Sequence, residues 1–201
     1  MQTCAQDSAV QQRAPDAPAF DRVAAARAVR DLLVAVGADP DVEDLRDTPR
    51  RVAAALDELL TPTPFTFTTF PNDGRYDELV LVRDIRFHSL CRHHLLPFSG
   101  VAHVGYVPGE RIVGLSKLAR VVEFHARGLQ VQETLTTSVA DELERRLAPR
   151  GAGVVLEATH SCMSLRGVAK PGARTVTSAV RGLLRDDHRT RAEFLSLVRA
   201  D

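Results

Sequence analysis

Gly153-Val154-Val155-Leu156-Glu157-Ala158-Thr159-His160-Ser161-Cys162 is the stretch on which the fold turns. Val154, Leu156 and Ala158 recur at every second position, the period of a strand with one face buried. On that reading His160 and Cys162 continue the row, so an imidazole and a thiol close a line of aliphatic side chains. Either one alone is most simply a satisfied core residue. A second island, Cys91-Arg92-His93-His94, alters that balance, because it ends another alternating run, residues 79–88. The two-residue gap between Cys91 and His94 lets both side chains reach one ion from a tight turn. Thiols and imidazoles are the ligands that borderline-soft zinc prefers. Cys91, His94 and Cys162 give three protein ligands, the number of a catalytic site that keeps a position for water. His93 and His160 are then left beside the metal as proton carriers, a surplus that points to a hydrolytic enzyme and not to a zinc clip.

Around these islands the pattern alternates helices with strand pairs. Residues 1–18 carry Gln, Ala, Pro and Asp without periodicity and read as a mobile leader. Val23, Ala24, Val29, Leu32 and Leu33 predict an amphipathic helix over about 20–36, closed by Gly37. Thr48-Pro49, a capping hydroxyl and then proline, starts a second helix that runs to about Leu60 and ends at Thr61-Pro62-Thr63-Pro64. Residues 71–77 are a polar loop, and 101–107 with 111–115 predict a hairpin around Pro108-Gly109. Ser116 opens a helix with Leu118, Val121, Val122 and His125 on its apolar face. Leu135, Val139, Leu143 and Leu147 place another over 132–147. A strand over 174–184 and a short helix from about Arg191 close the chain. The division is a leader (1–18), a helical region (19–64) and an α+β unit with the metal islands (65–201).

The 201 residues suffice for a substantial core, and 26 basic against 26 acidic side chains leave no net charge to suggest a nucleic-acid or membrane surface. No apolar run approaches the roughly 18 residues of a membrane span, and no signal-peptide core is present. Three cysteines, two of them in the metal islands, fit a reducing cytoplasm, with Cys4 a free thiol in the leader. The two lysines, Lys117 and Lys170, stand among 24 arginines. Lys117 belongs to Gly114-Leu115-Ser116-Lys117-Leu118-Ala119-Arg120, where Ser116 suits an N-cap and Lys117 and Arg120 project from one side of the first turn. Cations there oppose the helix dipole unless an anion joins them, so either a phosphate binds or the face is merely solvated. Arg166, four residues past Cys162, can bring another guanidinium. Glu133, in Gln130-Val131-Gln132-Glu133, can accept from paired N–H donors such as a guanine edge, or simply favour its helix dipole.

Four segments, Cys91-x-His-His-Leu-Leu-Pro-Phe98, Gly114-Leu-Ser-Lys-Leu-Ala-Arg120, Gln130-Val-Gln-Glu133 and His160-Ser-Cys-Met-x-x-Arg-Gly167, together resemble GTP cyclohydrolase I. The similarity runs over about residues 45–199, with Thr48-Pro-Arg50 and Glu193-Phe194-Leu195 near its ends. It implies an α+β tunnelling fold, an antiparallel sheet packed with helices and extended by N-terminal helices. It also implies a cytoplasmic, toroidal homodecamer of two pentamers with active sites between subunits. Zn2+ would lie on Cys91, His94 and Cys162, with His93 and His160 as the active-site histidines. Ser116, Lys117, Arg120 and Arg166 would hold triphosphate and ribose, and Gln132 with Glu133 the guanine. The implied reaction opens the purine ring of GTP, releases formate and gives 7,8-dihydroneopterin triphosphate for pterin and folate or deazapurine supply. Two positions depart from the family pattern: Arg92 replaces the usual glutamate and Thr134 the usual arginine. They bear on rate and substrate preference, and they keep a metal-binding scaffold or an enzyme for a modified purine as alternatives.

Overall fold

A computed structural model of the chain describes residues 8–10 and 19–200. Within the segment read as a mobile leader, strand β1 (Ser8–Val10) pairs antiparallel with β2 (Phe65–Phe67). The rest of that segment, Cys4 included, lies outside the described residues. Residues 19–61 form one compact unit, and residues 62–200 together with β1 form another.

The first unit is a helix pair. The Asp21 side chain caps α1 (Arg22–Ala35) by accepting from the Val23 and Ala24 N–H groups at 3.0 and 2.9 Å. Gly37, at φ +83°, turns the chain out after its last residues. In α2 (Thr48–Leu60) the cap position falls to Asp47, not Thr48, and Asp47 spends its carboxylate on ion pairs to Arg50 and Arg51 at 3.6 and 3.3 Å. Arg22 reaches across to Asp57 at 2.5 Å and joins the two helices.

The second unit is built on one sheet. Its members are β4 (Val80–Cys91), β5 (Pro97–Val107), β7 (Leu129–Gln130), β8 (Gly151–His160) and β9 (Thr175–Gly182), after the short β3 (Thr69–Pro71) and with β6 (Arg111–Val113) outside it. The order is β7-β4-β5-β8-β9, antiparallel except for β7 beside β4. Helices α3 (Leu115–Ala126) and α4 (Gln132–Leu147) cover one face. The predicted spacing holds: Leu135, Val139, Leu143 and Leu147 are all buried against Ala102, Val104, Val154, Leu156 and Ala158. The pleat turns Val155 to the other face, where it meets Val107 and, beyond the turn α6 (Leu183–Asp186), Phe194 of α7 (His188–Arg199). The α+β architecture is therefore an antiparallel sheet clothed by helices, as expected.

Three local readings change. The hairpin predicted for 101–107 and 111–115 does not form, because both edges of β5 are already taken by β4 and β8. Instead β6 pairs with β3, held by the Arg111 guanidinium on the Thr69 hydroxyl and carbonyl at 2.8 and 3.0 Å and by Asn72, which donates to the Gly109 carbonyl at 3.0 Å. Second, Ser116 is not the N-cap of its helix: Gly114 holds that position, and Ser116 is the second helical residue. Third, β8 stops at His160, and Cys162 sits in the helical turn α5 (Ser161–Ser164).

Gly100 faces Ala158 in the β5–β8 ladder, and a Cβ there would lie 1.9 Å from the Glu157 carbonyl oxygen. No rotamer relieves a clash with backbone, so Gly100→Ala should lower stability by about 1–3 kcal/mol, read as a lower melting temperature.

Two core histidines make stability depend on pH. His125, on the inner face of α3, has no hydrogen-bond partner for Nε2 among the described residues; that nitrogen lies 3.9 Å from Oε2 of Glu142, whose Oε2 and Oε1 pair with Arg145 and Arg146 at 2.5 Å each. Burial holds its pKa below the usual 6.5, with the Glu142 charge opposing. His103 accepts the Asp84 N–H at 3.5 Å, opposite the β4 irregularity, and burial lowers its pKa as well, against the pull of Asp84. The unfolded chain thus takes up protons that the folded one refuses. Stability should be full above pH 6.5 and fall as pH drops from there toward the lowered folded values. Urea midpoints measured across that range should show this loss, and His125→Phe should flatten the slope.

Candidate metal centre and active site

The β4–β5 connection is the first half of the site. Leu90 pairs with Pro97, so the strands close on residues 91–96. The Cys91 carbonyl accepts the His94 and Leu95 N–H groups at 3.3 and 2.9 Å, and the Cys91 N–H donates to Leu96 O at 2.8 Å. Leu95 takes a positive φ of 55° to complete this tight turn. It folds His94 back over Cys91, with Nδ1 3.7 Å from Sγ.

The second half arrives through β8. Phe98 is opposite His160, so the residues just past His160 emerge beside the turn. The α5 turn, not a continued strand, aims Cys162 at the same point. The donor atoms of Cys91, His94 and Cys162 all lie within 4.8 Å of one another. Around a tetrahedral zinc ion, ligand atoms at usual bond lengths are about 3.6–3.8 Å apart, so the triad needs only a small contraction. Its electrostatics fit as well. Burial raises the Cys162 pKa, and the neighbouring Cys91 sulfur raises it further, while Arg166 acts the other way. Two sulfurs that resist joint ionisation are what a dication resolves. The residues present therefore suit zinc.

A cavity of about 200 Å³ opens on this triad, lined among others by His93, Gln130, Val131, Glu133, His160 and Met163. The parallel pairing of β7 with β4, Cys91 facing Gln130, brings the Gln130–Glu133 segment alongside the turn. The Arg92 N–H donates to Gln130 O at 3.0 Å, and its side chain donates to Leu129 O at 3.3 Å. The departure at 92 thus places a guanidinium on the segment that leads to Thr134. Burial lowers the His160 pKa, with Glu133 opposing. The His160 ring stacks flat on Phe98, with centroids 4.5 Å apart and planes within 6°.

A profile of the GTP cyclohydrolase I family matches residues 25–199. The chain belongs to that family. Relatives each called GTP cyclohydrolase 1 include one from Mycolicibacterium vanbaalenii, 55% identical over 186 residues, covering 89% of this chain and 91% of its own. One from Streptomyces avermitilis is 57% identical over 188 residues, covering 90% and 92%. Among solved structures, the archaeosine synthase QueF-Like in the apo form matches 52% of this chain and 94% of its own at TM-score 0.43 and 18% identity, too partial a likeness to bear weight.

Seven residues that sequence reasoning put in the site of this family member meet at the cavity: Cys91, His93, His94, Gln132, Glu133, His160 and Cys162. Ser116, Lys117, Arg120 and Arg166 do not line it. Phe98 was quoted in a motif but given no role, and Thr136 and Thr177, which engage Gln132, carry no sequence signal at all. Zinc-loaded protein should hold one ion per chain by elemental analysis. Cys162→Ala or His94→Ala should weaken retention against a chelator by more than the roughly 10–100-fold that loss of an outer-shell partner brings.

Proposed function

We propose that this chain is a zinc-dependent cyclohydrolase that opens the purine ring of GTP, releases formate and yields 7,8-dihydroneopterin triphosphate. One observation carries the reading: a three-donor metal triad shares a small cavity with two further imidazoles and a carboxylate, in a chain whose relatives are called GTP cyclohydrolase 1.

Cys91, His94 and Cys162 hold the metal. Zinc at such a site supplies Lewis acidity that brings the pKa of a coordinated water toward neutrality. The Glu133 carboxylate, exposed at the N-terminus of α4, accepts the paired N–H donors of the guanine edge. His160, its ring clamped by Phe98, delivers a proton to purine N7 and weakens the imidazole ring. His93, exposed beside the triad, orients the water that adds to that ring and takes its proton. Ser116, Lys117, Arg120 and Arg166 bind triphosphate and ribose, and this fixes the base over the metal.

Those four residues lie off the cavity formed by one chain, which favours active sites completed by a second copy, in a homodecamer of two pentamers. Among the described residues no helix is long and apolar enough to cross a membrane, and the 26 basic and 26 acidic side chains leave no net positive charge to favour nucleic acid. The product then feeds pterin and folate or deazapurine synthesis in the cytoplasm.

Zinc-loaded protein incubated with GTP should release formate and a pterin that fluoresces after oxidation, in equal amounts. Lys117→Ala should raise KM for GTP about tenfold or more, the scale of one charged hydrogen bond. Retained zinc with no formate would favour the scaffold reading, and a ring-opened product in the mass spectrum would favour the modified-purine one.

A further inference from the structure

Gln132 opens α4, yet it is only 1% exposed, so it belongs to the wall behind the cavity and not to a surface that a base edge can reach. Its amide is fully engaged. Nε2 donates to the carbonyls of Leu156 and Thr175 at 3.2 and 3.0 Å and to the Thr177 hydroxyl at 3.1 Å. Carbonyl oxygens only accept, so the NH2 end must face them and Oε1 must point the other way. The hydroxyls agree. Thr136 donates to the Gln132 carbonyl at 2.7 Å, which leaves Thr177 to donate across the 2.6 Å gap to Thr136 and to accept from Gln132 Nε2. Turning the amide over would set its oxygen against two carbonyl oxygens with no hydrogen between them, a repulsive contact in the core.

Oε1 lies 2.7 Å from His160 Nε2. An amide oxygen cannot donate, so the hydrogen of this short bond must sit on the imidazole. Phe98, stacked on the ring, fixes the plane in which that bond points. No hydrogen bond from the described residues engages Nδ1.

We propose that Gln132 is a positioning residue that holds His160 in its Nε2–H form and so makes Nδ1 the ring nitrogen that carries the proton. This deepens, and rests on, the cyclohydrolase reading above. In the neutral ring Nδ1 has a lone pair. Taking up a proton there gives an imidazolium whose Nε2–H stays on Gln132, and passing that proton to the purine nitrogen restores the neutral ring. A histidine without this anchor could offer either nitrogen; here the choice is made by a glutamine whose own orientation the backbone dictates. Guanine selection is then left to Glu133, without Gln132.

Neutron diffraction from deuterium-exchanged crystals of the zinc-loaded protein reads the arrangement directly. A deuteron on His160 Nε2, with the Gln132 ND2 group toward Leu156 and Thr175, is the expected map. A bare Nε2, or ND2 turned toward His160, overturns the proposal. Kinetics separate positioning from substrate contact. Gln132→Met fills the space without an acceptor and should lower kcat by about 10²-fold, the low end of what acid–base catalysis contributes, with KM for GTP little changed. Gln132→Glu keeps an acceptor for the His160 Nε2–H, and should stay within about tenfold of wild-type kcat. A Met variant with wild-type kcat and raised KM would instead make Gln132 a guanine contact. The neutron map decides the matter if neither variant folds, and it does so whether or not formate is released from GTP, the measure of the underlying reading.

Discussion

The antiparallel pairing of β5 with β8 is the constraint from which the site follows. Its register sets Phe98 opposite His160 and runs unbroken to Val107 opposite Gly151. Because strand side chains alternate, one register puts Ala102, Val104, Val154, Leu156 and Ala158 under the helices and leaves His160 as the next member of that row. A slip of one residue would turn the aliphatic row and the imidazole to the opposite face together. The metal turn depends on the same ladder, since Pro97 starts β5 and closes the loop that folds His94 over Cys91. Fold and chemistry are therefore set by one alignment. Gly100 is its tightest point, where only a missing Cβ lets the strands approach.

The helix α4 adds the polar complement. Its body is an ordinary amphipathic helix, but its first residue is a buried amide amid carbonyls and hydroxyls of β8 and β9. A buried amide is costly unless every group is paired, and once paired it has a single orientation. That converts packing into direction: sheet carbonyls orient Gln132, and Gln132 orients His160. The metal triad uses a related economy, because burial and the Cys91 sulfur oppose ionisation of Cys162, whereas a dication would satisfy all three donors.

Much was legible along the chain. The period of Leu135, Val139, Leu143 and Leu147 located α4, the alternation through Ala158 located β8, and the cysteine–histidine islands named the triad. Local signals failed where a competing partner decided. The Pro108-Gly109 turn looked like a hairpin, but β5 had no free edge. Ser116 and Thr48 looked like caps, but the helices begin earlier, by two positions and by one, with Gly114 and Asp47 as caps. Cys162 looked like a strand residue, although a helical turn presents it. Gln132 was grouped with Glu133 by adjacency, while burial separates them completely.

The sequence by itself determined the ligand chemistry, the family and the elements whose hydrophobic period is strong, since these depend on residue type and on neighbours a few positions away. Only the tertiary structure decided strand order, the true partner of β6, the direction of the Gln132 amide and the ring nitrogen His160 presents. The reason is physical: hydrogen-bond donors and acceptors are satisfied once, by whichever groups folding brings nearest, and residues 132, 156, 160, 175 and 177 become neighbours only when three elements close on one another.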